Sequence, residues 1–209
     1  MFLSILSRKQ IKLLEQLGFL KEYGFYLAGG TALALQLGHR TSLDFDFYTQ
    51  KSFDSKKLHL LLEKKFERVI LLQKDEDTLI VEINGVIVSF FKYVYPLIFP
   101  LVKQEKFPPL ASKEDIAAMK IIAISDRGAK RDFIDIYFLL QEFSLKEIFT
   151  FVKKKYPYFN IYVALRGLTY FVDADKRQTR KLYLFSTVSW NKVKKFLINE
   201  VRKYQKESL

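Results

Sequence analysis

The 209-residue sequence predicts an α/β (α+β) chain: a mixed or antiparallel sheet flanked by helices, followed by a helical C-terminal region. Three observations carry that reading. A glycine pair, Gly29-Gly30, closes a short apolar stretch, and Ser42-Leu-Asp-Phe-Asp-Phe47 follows with the alternation of a strand. Asn84-Gly85 sits between two alternating apolar runs and marks a two-residue type I′ hairpin turn. Beyond residue 110, apolar residues recur at helical spacing behind capping residues such as Ser112.

The elements follow in order. Ser7 and Gln10 make a capping-box pair ahead of Ile11, Leu13, Leu14, Leu17 and Leu20, which predicts a first helix ended by Gly24. Residues 25–28 read as the first strand and 31–37 as a short helix. In the Asp-x-Asp strand, Asp44 and Asp46 share one face while Leu43, Phe45 and Phe47 point to the core. A helix over 55–66 presents Leu58, Leu61 and Leu62 on one side, and 69–73 reads as a further strand. The hairpin over 77–93 pairs Ile83 with Val86, Glu82 with Ile87 and Ile80 with Ser89. Glu82, Ile80, Ile87 and Ser89 then lie on one face.

Pro96, Pro100, Pro108 and Pro109 punctuate a connector. Ser112 caps a helix bearing Lys120, Arg127-Gly128 interrupts it, and 130–142 forms the next. The remainder reads as helical, including 191–205. Tyr170 and Phe171 read as packing aromatics before an acidic, helix-breaking turn at Asp173 and Asp175. The expected division is a core over 1–110 and a helical region over 111–209.

Two carboxylates on one strand face repel each other unless a cation lies between them. Hard oxygen donors of this kind suit Mg²⁺, which completes its shell with waters and substrate phosphates. Gly29 and Gly30 allow the backbone to approach a phosphate, and the helix that follows turns its positive end toward the same place. Arg40, just before the strand, is placed to reach a triphosphate. His39 and His59 stand isolated, with no spacing for zinc or a hydrolase triad.

Gly-Gly-Thr31, a short helix and then Asp-x-Asp resembles the nucleotidyltransferase superfamily signature, and most closely the AbiEii/AbiGii toxin family. The resemblance extends to Glu114-Asp-Ile-Ala-Ala-Met-Lys120, to Lys130-Arg-Asp-Phe-Ile-Asp-Ile-Tyr137, and more loosely to 168–175. It implies a nucleotidyltransferase-fold sheet and transfer of a nucleoside monophosphate from an NTP, with Mg²⁺ or Mn²⁺ held by Asp44 and Asp46. Gly29, Gly30 and Thr31 would cradle the phosphates. Lys120 would neutralise triphosphate charge, Asp132 orient Lys120 or the sugar, Arg131 clamp a phosphate, and Asp135 lie beside the nucleotide. Relatives carry a third carboxylate near Ser89; here Glu82 is the candidate substitute. The family setting implies a type IV toxin–antitoxin system, with an antitoxin partner and an RNA acceptor such as tRNA. The alternatives are a small-molecule (aminoglycoside-type) or protein acceptor, or a degenerate member that binds without turnover.

Charge supports the polyanion reading. Residues 146–209 carry 15 basic and 5 acidic side chains, whereas 1–145 carry 20 and 18, so the C-terminal part holds nearly all of the +12 net charge. Lys153, Lys154, Lys155, Arg177, Arg180 and Lys181 are the expected RNA contacts, with the Lys192, Lys194 and Lys195 set further along. The absence of cysteine excludes disulfides and thiolate chemistry and fits a cytoplasmic protein. The most apolar run, 86–102, holds Lys92 and two prolines, which argues against a membrane span.

Overall fold

The structure is a computed structural model that describes residues 1–176, 183–185 and 188–208. It opens with α1 (Arg8–Gln16), whose Ser7 and Gln10 form the expected reciprocal cap. The helix stops earlier than its apolar spacing predicts. Residues 17–23 tighten into a 3₁₀ turn, and there the Lys106 carbonyl oxygen lies only 2.9 Å from where a Cβ on Gly18 would sit.

Five strands make one mixed sheet in the order β1-β2-β5-β4-β3. They are β1 (Tyr26–Ala28), β2 (Phe45–Thr49), β3 (Val69–Asp75), β4 (Thr78–Ile83) and β5 (Val86–Lys92). β1 runs antiparallel to β2, β2 parallel to β5, and β3, β4 and β5 form an antiparallel meander. The β4–β5 turn has the expected geometry: Asn84 and Gly85 both take positive φ, 51° and 80°. Its register pairs Ile83 with Val86, Glu82 with Ile87 and Ile80 with Ser89, as the sequence predicts. Because β2 and β5 are parallel, Asp46 lies directly opposite Ser89.

Helices flank the sheet. α2 (Gly29–Leu37) starts at the glycine pair itself, two residues before the predicted start, and α3 (Ser55–Lys65) follows β2. After the connector come α4 (Lys113–Asp126), α5 (Lys130–Leu139), α6 (Leu145–Lys155), α7 (Ile161–Thr169), α8 (Val172–Lys176) and α9 (Trp190–Ser208). α8 corrects the expected acidic break: Asp173 and Asp175 sit inside a short helix, where their charge suits its positive N-terminal end. Phe171 packs as expected, 5.1 Å from the Phe133 ring, but Tyr170 is 54% exposed.

One apolar core runs from Ile5 in the N-terminal turn to Val201 on α9 and crosses residue 110 without a gap. Backbone hydrogen bonds join the two parts as well. Leu27 donates to the Pro109 carbonyl at 2.9 Å, and Ala111 donates to Leu27 at 2.8 Å. Among the described residues, no helix is long and apolar enough to cross a membrane.

Candidate active site

Asp46 lies on β2 and Asp44 one residue before it, so both reach the same side of the sheet. Leu43 does not follow the predicted pattern: it precedes the strand and is exposed rather than packed. Asp46 is brought against the start of α2. Gly29 has a φ of 65°, and a Cβ there would sit 3.3 Å from Asp46 Oδ2. No side chain caps α2, so the positive end of the helix faces the carboxylate through bare glycine backbone. Thr31 is buried and its hydroxyl donates to the Asp44 carbonyl while contacting Ser42. It thereby ties α2 to the lead-in of the Asp-x-Asp strand.

The second wall comes from α4 and α5. Lys120 Nζ stands 2.8 Å from Asp132 Oδ1 and 2.6 Å from Asp135 Oδ2. Asp132 also accepts from Arg127, at 3.0 Å from Nε. Asp135, fully buried, is gripped by Arg40 through Nε at 2.7 Å and Nη2 at 2.9 Å, and by His39 Nε2 at 2.8 Å. Asp135 is therefore a positioning residue rather than the nucleotide contact expected for it. Arg40 is likewise not a loop arginine extended toward phosphates; it is buried under Gly30, where an added Cβ would collide with its Nη2. His39, read as isolated, belongs to this network.

Opposing influences set the electrostatics. Burial, reinforced by the Asp44 charge, raises the Asp46 pKa, while Lys120, Arg131 and a hydrogen bond from Ser89 pull it back. Burial works against the Asp135 carboxylate as well, but Arg40 and Lys120 overcome it and hold its pKa well below the ordinary value. Burial keeps His39 neutral by lowering its pKa.

These walls enclose a cleft of about 1090 Å³. Gly29, Gly30, Thr31, Asp44, Asp46, Ser89, Lys120 and Arg131 all line it, so most of the predicted site residues converge. Its charged lining is Arg40, Lys92, Lys120, Arg127 and Arg131 with Asp44, Asp46 and Asp126; Arg40, Lys120 and Arg127 are held by Asp132 and Asp135 behind the wall, and Lys92 pairs with Asp77. Sequence reasoning missed the aromatic side of the cleft, formed by Tyr48, Phe91 and Tyr93. Tyr48 stands 5.7 Å from the Phe91 ring and 5.4 Å from the Tyr93 ring. Strand parity carried that signal: Tyr48 and Phe91 follow Asp46 and Ser89 by two residues on the same face.

Glu82 and Lys155 do not join as expected. Glu82 shares the sheet face but stands one strand beyond Ser89, paired with Ile87, and does not line the cleft. Among the described residues, no group of three metal-binding side chains forms. Lys155 is fully buried: its Nζ pairs with Asp115 at 2.7 Å and donates to the Pro96 carbonyl at 2.6 Å. It cannot contact RNA, whereas Lys153 and Lys154 are exposed. Arg177, Arg180 and Lys181 lie outside the described residues.

A helix that starts without a side-chain cap, beside paired carboxylates on this mixed sheet, is the arrangement of a nucleotidyltransferase. The model of the family described as nucleotidyl transferase AbiEii toxin, type IV TA system, matches residues 13–100 and 92–203. The chain belongs to that AbiEii family. An uncharacterized protein of Aquifex aeolicus (strain VF5) is 39% identical over 206 residues, 95% of each chain. Among solved structures, the nucleotidyltransferase toxin MenT4 of Mycobacterium tuberculosis H37Rv is 17% identical with a TM-score of 0.50, covering 94% of this chain and 88% of its own. The antibiotic-resistance factor ANT(2'')-Ia is 13% identical with a TM-score of 0.55, covering 77% of this chain and 97% of its own. These two likenesses are of fold.

Proposed function

We propose that this nucleotidyltransferase moves a nucleoside monophosphate from an NTP onto an RNA hydroxyl, with tRNA as the acceptor class, and acts as the toxin of a type IV toxin–antitoxin pair. One observation carries the chemistry: Asp46 lies against Gly29 at the uncapped start of α2, with Asp44 and the Lys120 wall in the same cleft. The acceptor oxygen attacks the α-phosphorus, the bond to the bridging oxygen breaks, and pyrophosphate leaves. The amide end of α2 receives phosphate oxygens, and Arg127 and Arg131 add positive charge from the facing wall. Lys120 presents its ammonium from a pocket fixed by Asp132 and Asp135, so no reorganisation is needed as charge moves to the leaving group.

The donor set fits a divalent cation. Asp44 and Asp46 are hard oxygen ligands, and burial first, then the Asp44 charge, raises the Asp46 pKa, so a cation there would favour its ionised form. Mg²⁺ or Mn²⁺ there supplies charge neutralisation at the phosphates. The C-terminal basic excess supports a polyanionic acceptor.

A second reading rests on Ser89. It occupies the cross-strand position opposite Asp46, is no carboxylate, and favours a protein that binds NTP with slow or no turnover. Incubation with NTPs labelled on the α-phosphate, Mg²⁺ and total cellular RNA separates the readings. Label in tRNA-sized RNA with the native protein and none with Asp46→Asn is expected. NTP binding with no labelled RNA would overturn the RNA-transfer reading in favour of a small-molecule or protein acceptor or of the second reading.

A further inference from the structure

The acceptor reading requires a surface that holds RNA outside the cleft, and one helix carries unusual features for that task. On α7, Tyr162 and Arg166 are four residues apart, hence neighbours on one face, and Tyr170 continues the row at the C-cap. All three are exposed, Tyr162 at 60% and Tyr170 at 54%, and Tyr158 just before the helix is fully exposed. Large aromatics left in water in this way mark an interaction site rather than a core.

Charge identifies the occupant. Between Glu147 and Asp173 there is no acidic residue at all. With Lys155 buried against Asp115, the exposed charge of this stretch is positive throughout: Lys153, Lys154 and Arg166. Aromatic faces interleaved with cations match a nucleic-acid strand, in which bases stack on rings and phosphates meet the cations. An acidic protein would use the cations but would leave the tyrosine faces without flat partners.

α7 packs against α4, which carries part of the cleft lining. Gly167 lets α7 press onto α4, where an added Cβ would lie 3.4 Å from Ser125 Cα. Ser125 immediately precedes Asp126 and Arg127, which line the cleft. The tyrosine row faces away from Ala164 and Leu168, the buried side of α7.

We infer that the exposed Tyr162-Arg166-Tyr170 face of α7, with Tyr158 just before the helix, docks the RNA acceptor by stacking unpaired bases and contacting their phosphates. This rests on the acceptor reading given above, and two separate readouts keep the two apart. A fluorescein-labelled tRNA transcript is titrated against metal-free full-length protein without NTP, and label transfer is measured in parallel. The Tyr162→Ala/Tyr170→Ala variant is expected to bind RNA roughly tenfold or more weakly. Tyr162→Phe/Tyr170→Phe, which keeps the rings, should bind as the native protein does. Arg166→Gln should lower the slope of log affinity against log salt by about one phosphate contact. An unchanged melting temperature confirms that each variant is folded.

Equal RNA affinity and equal KM for RNA in the alanine variant would overturn the docking face while leaving the transfer reaction intact. RNA binding lost in that variant, but with no transfer by the native protein, would uphold the face and overturn the reaction. No RNA binding by the native protein, with a protein partner released by the alanine variant instead, would overturn the face as an RNA site.

Discussion

Asp46 combines two properties that pull against each other. Its carboxylate belongs in a cation site, yet burial and Asp44 make the ionised form unfavourable in the bare protein. A carboxyl whose folded pKa is raised binds its proton more tightly folded than unfolded, so above that pKa its charge works against the fold. Asp46→Asn should therefore melt at a higher temperature than the native protein in EDTA at neutral pH. Mg²⁺ should raise the melting temperature of the native protein only, and the variant should lose on the order of 100-fold or more in kcat. Ser89 enters through the same group. Its hydrogen bond lowers the Asp46 pKa, so Ser89→Ala should move the acid limb of the pH–activity profile to higher pH, with activity still lost as pH falls. A limb that stays in place would show that Asp46 is not the group titrating there. That Ser89 stands where relatives carry a third carboxylate was legible from the family resemblance. That it hydrogen-bonds Asp46 was not, because this depends on β2 and β5 running parallel, and strand order is not written in local periodicity.

At the scale of elements, α5 is anchored by charge as well as by packing. Asp135 accepts from Arg40, His39 and Lys120, linking α5 to α4 and to the loop before β2. Removing it as Asp135→Ala strands the buried Arg40 and leaves Lys120 with Asp132 alone, which costs about 3–5 kcal/mol. Its depressed pKa contributes stability above the unfolded value of about 3.9, and that contribution disappears as pH falls through the folded value. Chemical denaturation of Asp135→Asn should therefore vary less with pH in the acid range than that of the native protein; parallel curves would contradict the assignment. The sequence placed Asp132 and Asp135 on one helical face correctly, since a three-residue interval fixes that. The family resemblance supplied Lys120 as a partner of Asp132, 12 residues away, but not Arg40 as that of Asp135, which arrives from 95 residues away. Lys155 was legible and was missed. It follows Val152 by three residues and Ile148 by seven, so the helical repeat turns it inward even though it ends a run of three lysines.

The whole molecule divides its active site between two lengths of chain. Asp44, Asp46 and the glycine turn come before the connector, while Lys120, Arg127 and Arg131 come after it. A mixed sheet, flanking helices and a helical C-terminal half could be read from turn chemistry and apolar spacing. The continuity of the core could not, because it depends on which helix faces meet. The connector turns through a loop that exposes the side chains of Lys103, Glu105 and Lys106 while the Lys106 carbonyl rests against Gly18, and its ends close where Val102 and Leu110 hydrogen-bond to each other. Below that loop, Leu27 binds Pro109 and Ala111, and the shared core continues across the join. The loop is thus a ready place to divide the polypeptide. Trypsin cutting after Lys103 or Lys106 should leave two fragments that co-elute on a sizing column. Made as separate chains, each should be inert alone and should recover RNA labelling on mixing, which makes this small enzyme a natural split reporter of proximity.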